Sequence, residues 1–276
     1  MSAGTLHVVA TPLGNLGDLS DRAKQVLRAV TTVAAEDTRR ARVLLQHCGA
    51  RPRVLSYHAH SPEGRLDSLL ELLGGGDDVA VITDAGTPAV SDPGAELVRR
   101  ARELGATVVT VPGPSAVAAA LSISGFPADR YTFLGFLPRK GRDRRRLLEN
   151  VSAALWTTVL FEAPPRLVKL LEDLSKVCGG EREAAVAREL TKVHEELNAG
   201  TLDKLAVYYE ENPPKGEVTV LIAGQRGEPA EVDEEAVRAR ARTLLDEGLS
   251  GRDTAGRLAE EFALPRREAY RIVTKL

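Results

Sequence analysis

The sequence predicts an α/β fold: two α/β halves followed by a small C-terminal helical tail. Three observations predict it. Short β-branched runs alternate with amphipathic segments through the first half. The run Pro112-Gly113-Pro114 then breaks the pattern, because two prolines flanking a glycine disfavour either regular state. From about Glu228 the chain turns to a charged pattern rich in Ala, Leu and Arg, which is helical in type.

In order, the expected elements are a strand at Leu6 to Ala10, a helix at Ser20 to Val30, a strand at Thr32 to Ala35 and a helix at Thr38 to His47. A strand at Val79 to Thr83 leads through a glycine turn to a helix whose start is marked by Asp92 as cap and Pro93 in the first turn. Thr107 to Val111 is a further buried strand, and an Ala-rich helix begins near Ser115. The second half offers strands at Thr157 to Phe161, Glu183 to Arg188 and Val218 to Ala223, with a helix at Pro165 to Ser175 and more antiparallel potential than the first. Breaks at Gly248 to Gly251 and Leu264-Pro265 divide the tail into about three helices. The expected domains are 1–112, 113–226 and 227–276, a division that suits 276 residues.

The hydrophobic fraction of 43% and charged fraction of 28% are those of a folded globular chain, which sets aside disorder and collagen-like classes. The segment Met1 to His7 lacks a basic stretch followed by an apolar run, and no apolar stretch of about 18 residues occurs, so a cytoplasmic protein is expected. Two cysteines, Cys48 and Cys178, stand far apart without His or Cys partners at ligand spacing, which suggests neither a metal site nor a disulfide framework. A net charge of −2 excludes a protein that coats nucleic acid with its whole surface. Any such contact must be local, and one segment concentrates it: Arg139, Lys140, Arg142, Arg144, Arg145 and Arg146, opposed in sequence by Asp143. Alone, that run reads equally as a solvated loop and helix start.

Dinucleotide, Walker and zinc-hydrolase signatures are missing. What remains is a set of loops, each following a strand, where an open α/β sheet places its ligand crevice. They are Ala10-Thr11-Pro12-Leu13-Gly14-Asn15-Leu16, Asp84-Ala85-Gly86-Thr87-Pro88 and Pro112-Gly113-Pro114-Ser115-Ala116. Further stretches stand in the same order: Ala35-Glu36-Asp37-Thr38-Arg39, Ser56-Tyr57-His58, Gly135-Phe136-Leu137-Pro138-Arg139-Lys140, Phe161-Glu162-Ala163-Pro164-Pro165-Arg166, Arg188-Glu189-Leu190-Thr191-Lys192 and His194-Glu195-Glu196. Together, from roughly Thr5 to Gly224, they resemble the tetrapyrrole methylase superfamily, and within it the 16S ribosomal RNA small-subunit methyltransferase I family.

That resemblance implies a two-domain tetrapyrrole-methylase-like fold of the class III methyltransferase kind. It implies S-adenosylmethionine in the cleft between the domains, a homodimer, and methylation of the ribose 2′-hydroxyl of a decoding-centre cytidine in 16S rRNA, with the assembled small subunit as the expected partner. It places the cofactor against Pro12, Leu13 and Gly14, against Asp84, Gly86, Thr87, Pro88 and Val90, and against Ser115 and Ala116, with Phe161 and Ala187 contributed by the second domain. Porphyrinoid methylases carry Gly-Asp-Pro where this chain has Gly86-Thr87-Pro88, a departure that agrees with the RNA branch.

Methyl transfer to a hydroxyl is an in-line displacement that gains from alignment, a base and a cation beside the developing alkoxide. Asp37 reads as base or substrate orienter, or else as the cap of the next helix with Arg39 and Arg40 in solvent. Lys192, with Glu195 close in sequence, reads as a phosphate or oxyanion partner, or else as half of a surface ion pair. Beside a cofactor cleft, Arg39 and the run from Arg139 to Arg146 become RNA contacts. Tyr57, His58 and Phe136 can stack on an unpaired base, with a buried role also open to Phe136. Ser250 to Phe262 and Pro265 to Leu276, bearing Arg266, Arg267, Arg271 and Lys275, resemble a helix-turn-helix or else form a helical cap. The competing acceptors are a porphyrinoid or a diphthamide precursor, and the non-enzymatic alternative is a cofactor-binding RNA chaperone.

Overall fold

In a computed structural model, which describes residues 3–58, 61–225, 234–262 and 266–275, the chain divides into two compact units, Met1–Gln225 and Arg226–Leu276. Within the first unit, five strands form an all-parallel sheet in the order β3-β2-β4-β1-β5. They are β1 (Thr5–Val9), β2 (Thr32–Ala35), β3 (Arg53–Ser56), β4 (Val79–Ile82) and β5 (Thr107–Val111). The runs in β2 and β4 are buried on both faces, as parallel strands covered by helices must be. Covering them are α1 (Asp21–Ala29), capped by Ser20, α2 (Thr38–His47), α3 (Glu63–Gly74) and α4 (Ala95–Glu103).

The second sheet is mixed, in the order β6-β7-β10-β8-β9. Its strands are β6 (Tyr131–Phe136), β7 (Thr157–Glu162), β8 (Glu183–Arg188), β9 (Glu196–Thr201) and β10 (Val218–Ile222). Strand β6 runs parallel to β7, while β10 is antiparallel to both β7 and β8, and β8 to β9. One face packs on α6 (Arg142–Ala153), α7 (Leu167–Cys178) and α8 (Leu202–Glu211) through Leu148, Leu171 and Leu205. The other meets α5 (Ala116–Ser124) and the loops of the first sheet through Val159, Ala185 and Leu221. Consequently β6, β7 and β8 point the same way and deliver their carboxyl ends to one edge.

The second unit holds α9 (Glu234–Asp246), α10 (Gly251–Glu261) and α11 (Arg266–Val273), packed on each other through Val237, Leu258 and Ile272. Arg271 and Lys275 are exposed there, whereas Leu264-Pro265 and the side chains of Arg266 and Arg267 lie outside the described residues. Among the described residues, no helix is long and apolar enough to cross a membrane.

Candidate active site

The loops that follow β1 and β4 are adjacent because those strands are neighbours, and the backbone clasps them. Thr11 N donates to Gly86 O at 2.8 Å and Gly86 N to Thr11 O at 3.0 Å, while the buried Thr11 hydroxyl donates to Thr83 O at 3.0 Å. Gly86 has φ 84°, a left-handed value that glycine adopts freely. The Thr87 hydroxyl donates to Pro114 O at 3.3 Å, which ties the second loop to the third. There Ser115 caps α5 and Ala116 opens it.

A recess of about 230 Å³ opens at these strand ends, lined among others by Pro12, Leu13, Gly14, Asp37, Thr83 and Asp84. Asp37 caps α2: its carboxylate accepts from Arg39 N at 2.8 Å and pairs with the Arg39 guanidinium at 2.7 Å. Those hydrogen bonds hold the Asp37 carboxyl well below the usual carboxylate range, so it is a weak base. Asp84 accepts from Asp37 N at 3.1 Å and pairs with Arg40 at 3.4 Å. Asp37 therefore takes the cap position that one reading gave it, and it also lines the recess.

Asp92 departs from expectation. The cap position of α4 is taken by Gly94, at φ 137°, with no side-chain cap. Ala89 and Ser91, at φ 67° and 61°, adopt values that cost a non-glycine residue about 1–3 kcal/mol. The loop thereby carries Asp92 beside Thr83, whose hydroxyl donates to Glu36 Oε2 at 3.3 Å, and among the carboxylates of Glu36, Asp84 and Glu217. Burial and then repulsion by those carboxylates outweigh the opposing influence of the Thr83 hydroxyl and push the Asp92 carboxyl up to about 6. A carboxyl at that value can exchange protons near neutrality. The Asp-Pro pair reads locally as a helix start, so no short-range signal identifies this residue.

The loop after β8 packs against the loop after β1. Glu189 and Thr191 have φ 51° and 67°, and the turn they make lays the Lys192 stem against Gly14, where a Cβ would overlap it. Asn15 N donates to the Thr191 hydroxyl at 3.2 Å. Lys192 Nζ stands 2.9 Å from Glu189 Oε1 and 3.6 Å from Glu217 Oε2. Burial alone would lower its pKa, but the Glu189 hydrogen bond and the Glu217 charge raise it, so Lys192 remains a cation. Glu195 is exposed and accepts from Thr191 N, which closes the turn that presents Lys192.

Seven of the residues expected around a cofactor fall into two adjoining groups. Pro12, Leu13, Gly14 and Asp84 line the recess. Leu13 also joins Ala116, Phe161 and Ala187 in one apolar cluster between the sheets. Phe161 and Ala187 sit opposite the same residue of β10, Thr219, from its two sides. Pro88 is buried, whereas Val90 is exposed.

The basic run needs one correction. Arg144 is buried and bonded to Asp173 at 2.9 Å and to Pro138 O at 3.1 Å, so it is withdrawn from any RNA-facing surface. Its partner comes from α7, beyond the reach of a local charge count. Arg146 is exposed but pairs with Asp143 at 3.5 Å. Arg139, Lys140, Arg142 and Arg145 are exposed and form no ion pair among the described residues. Tyr57 is also corrected, since its ring belongs to the core beneath the first sheet, while Phe136 is 55% exposed rather than buried. The half-buried His58 backbone N–H donates to the Ser61 hydroxyl at 2.8 Å.

Residues 5–206 match the family model described as Tetrapyrrole (Corrin/Porphyrin) Methylases. A Synechocystis protein called Ribosomal RNA small subunit methyltransferase I is 44% identical over 99% of this chain and 98% of its own length. Proteins of the same name from Xylella fastidiosa and Escherichia coli O157:H7 are 45% and 39% identical, covering 97% and 98% of this chain and 98% and 94% of their own. Among solved structures, a cobalt precorrin-4 methyltransferase of cobalamin biosynthesis superposes with a TM-score of 0.62 at 18% identity, over 79% of this chain and 94% of the other. The uroporphyrin-III-C-methyltransferase of Thermus thermophilus gives 0.56 at 21% identity, over the same shares of 79% and 94%. These two show a shared fold. The chain belongs to the tetrapyrrole methylase family and, within it, to the ribosomal RNA small subunit methyltransferase I family.

Proposed function

We propose that this protein transfers a methyl group from S-adenosylmethionine to the ribose 2′-hydroxyl of a decoding-centre cytidine in 16S ribosomal RNA. The observation that carries this reading is the meeting of two strand-end edges. One supplies a carboxyl that titrates near neutrality, Asp92, and the other a permanent cation, Lys192. The relatives' shared name supplies the acceptor class.

A recess carrying Asp37, Arg40 and Asp84 on an otherwise largely apolar lining, beside an apolar cluster, fits a cofactor with an amino-acid end and an aromatic base, and Leu13, Ala116, Phe161 and Ala187 would hold the base. S-adenosylmethionine held there would supply an electrophilic methyl group with a neutral thioether as leaving group, and the accepting hydroxyl would have to give up its proton. Asp92 is the residue suited to accept that proton, because its neighbours keep its affinity for one near neutrality. Lys192 is suited to stabilise charge on the hydroxyl oxygen. Asp37, too weak a base to take the proton, orients: through Asp84 and Arg39 it fixes the start of α2 against the recess. Glu195 sets the turn that carries Lys192.

The test is transfer of labelled methyl groups to small subunits that lack the modification, followed by nuclease digestion and mass spectrometry of the nucleosides. Labelled 2′-O-methylcytidine is expected. Label on a base, or no label on subunits and free 16S RNA while the cofactor binds, overturns the reading.

A further inference from the structure

Resting on that RNA-methylation reading, we propose that Phe136, Arg139 and Lys140 form a pre-set platform for one unpaired nucleotide and its flanking phosphates, positioned from beneath by Arg144 and Arg166. Strands alternate their side chains, so Phe133 and Phe136 would ordinarily point to opposite faces. A bulge between Phe133 and Gly135 removes that alternation: Phe133 pairs with Val159, and Phe136 with Phe161 two residues on. Both rings therefore meet Phe161, at centroid distances of 4.9 and 5.6 Å. Phe161 belongs to the apolar cluster already described, yet Phe136 remains 55% exposed. An aromatic ring braced on one side and open on the other suits base stacking.

The residues that follow are held by two separate ion pairs. Arg166 donates to Leu137 O at 2.9 Å and lies 3.1 Å from Glu162 Oε2, a carboxylate that is 2% exposed. Glu162 Oε2 makes no further hydrogen bond, so that arginine is its charge partner. Arg144 donates to the next carbonyl, Pro138 O, at 3.1 Å and is bonded in turn to Asp173. Two consecutive carbonyls are thus fixed by two arginines from different helical segments. Immediately beyond stand Arg139 and Lys140, exposed and without an ion-pair partner among the described residues. The Arg144 guanidinium reaches a carboxylate and a carbonyl through different nitrogens, a fork that lysine cannot reproduce.

The experiment measures two quantities on the full-length protein: anisotropy of a fluorescent cytidine-containing single-stranded RNA, and KM and kcat on unmodified small subunits. Phe136→Ala and Phe136→Leu are expected to weaken RNA binding and raise KM about tenfold, within the range base stacking contributes. Expected alongside are a kcat within about threefold and unchanged cofactor affinity, with Phe136→Trp restoring wild-type behaviour. Replacing Arg139 and Lys140 together by Ala should reduce the slope of log affinity against log salt by about 1.4. Arg166→Met, assayed below its melting temperature, should raise KM without weakening cofactor binding. Unchanged RNA binding in Phe136→Ala and Phe136→Leu overturns the platform, as does wild-type behaviour of Phe136→Leu alone. Loss of binding in those variants, with no methyl transfer by the wild type, supports the platform and overturns only the functional reading.

Discussion

The two edges that meet at the recess differ in charge and in how they are held. The first-sheet edge presents carboxylates, with Asp92 carried beside Thr83 by a loop that includes left-handed Ala89 and Ser91. The second-sheet edge presents cations, with Lys192 set among Glu189 and Glu217, and Arg139 and Lys140 above two arginine–carboxylate pairs. A strained loop can hold a buried acid in a destabilised state, because the rest of the sheet enforces the geometry. Ion pairs do the opposite and keep a cation charged. In the proposed reaction, proton acceptance and charge stabilisation fall to different sheets.

The largest expected effect removes that acid. Asp92→Asn should lower turnover by about 10²- to 10⁴-fold, the usual worth of a positioned general base. In the wild type, turnover should fall as pH drops through about 6, since the protonated carboxyl cannot accept a proton, and the pH–rate profile checks this. Stability runs the other way. The folded-state pKa is raised, so the folded protein binds the proton more tightly than the unfolded chain, an advantage lost as pH rises through about 6. Asp92→Asn should therefore melt at a higher temperature than wild type above pH 6, and thermal scans at several pH values decide it.

Lys192→Met keeps the apolar stem against Gly14 but removes the charge. It should cost about 10²- to 10³-fold in single-turnover rate, as loss of one oxyanion partner does, with no pH dependence of the defect between pH 6 and 8.

Gly135→Ala attacks the junction of the edges. At Gly135 φ is 62°, and a Cβ there would lie 2.5 Å from Ser91 Oγ. A destabilisation of about 1–3 kcal/mol in denaturant unfolding is expected. Adding Ser91→Ala should recover the part due to crowding and leave the backbone part. Gly86→Ala is the smallest. Its Cβ would find Leu13 at 3.5 Å, an ordinary contact, so only the left-handed backbone at φ 84° costs energy, about 1 kcal/mol.

Much of this architecture is legible in the chain. Thr32–Ala35 and Thr38–His47 read directly because a buried β-branched run and an amphipathic repeat have different periods. Ser20 and Ser115 announce the helices they cap. The polar run Glu196–Thr201 does not read as a strand, because its place at the sheet edge is decided by pairing with β8. Arg144 looked like part of a surface run because Asp173 lies 29 residues away. Asp92 looked like a cap because its place among Glu36, Asp84 and Glu217 depends on backbone conformations that residue type does not signal. The misread residues share one property: a distant partner determines their role. The loops proposed to hold the cofactor were legible as a set because each follows its own strand, whereas the proposed proton acceptor was not.

The most direct test of the central claim is the 2′-O-methylcytidine content of 16S rRNA from cells lacking the gene and from the same cells carrying wild type, Asp92→Asn or Lys192→Met at equal protein levels. The account predicts that one such nucleoside disappears on deletion, returns with the wild type, and stays absent or strongly reduced with either variant. An unchanged content in the deletion strain, or full restoration by both variants, would contradict it.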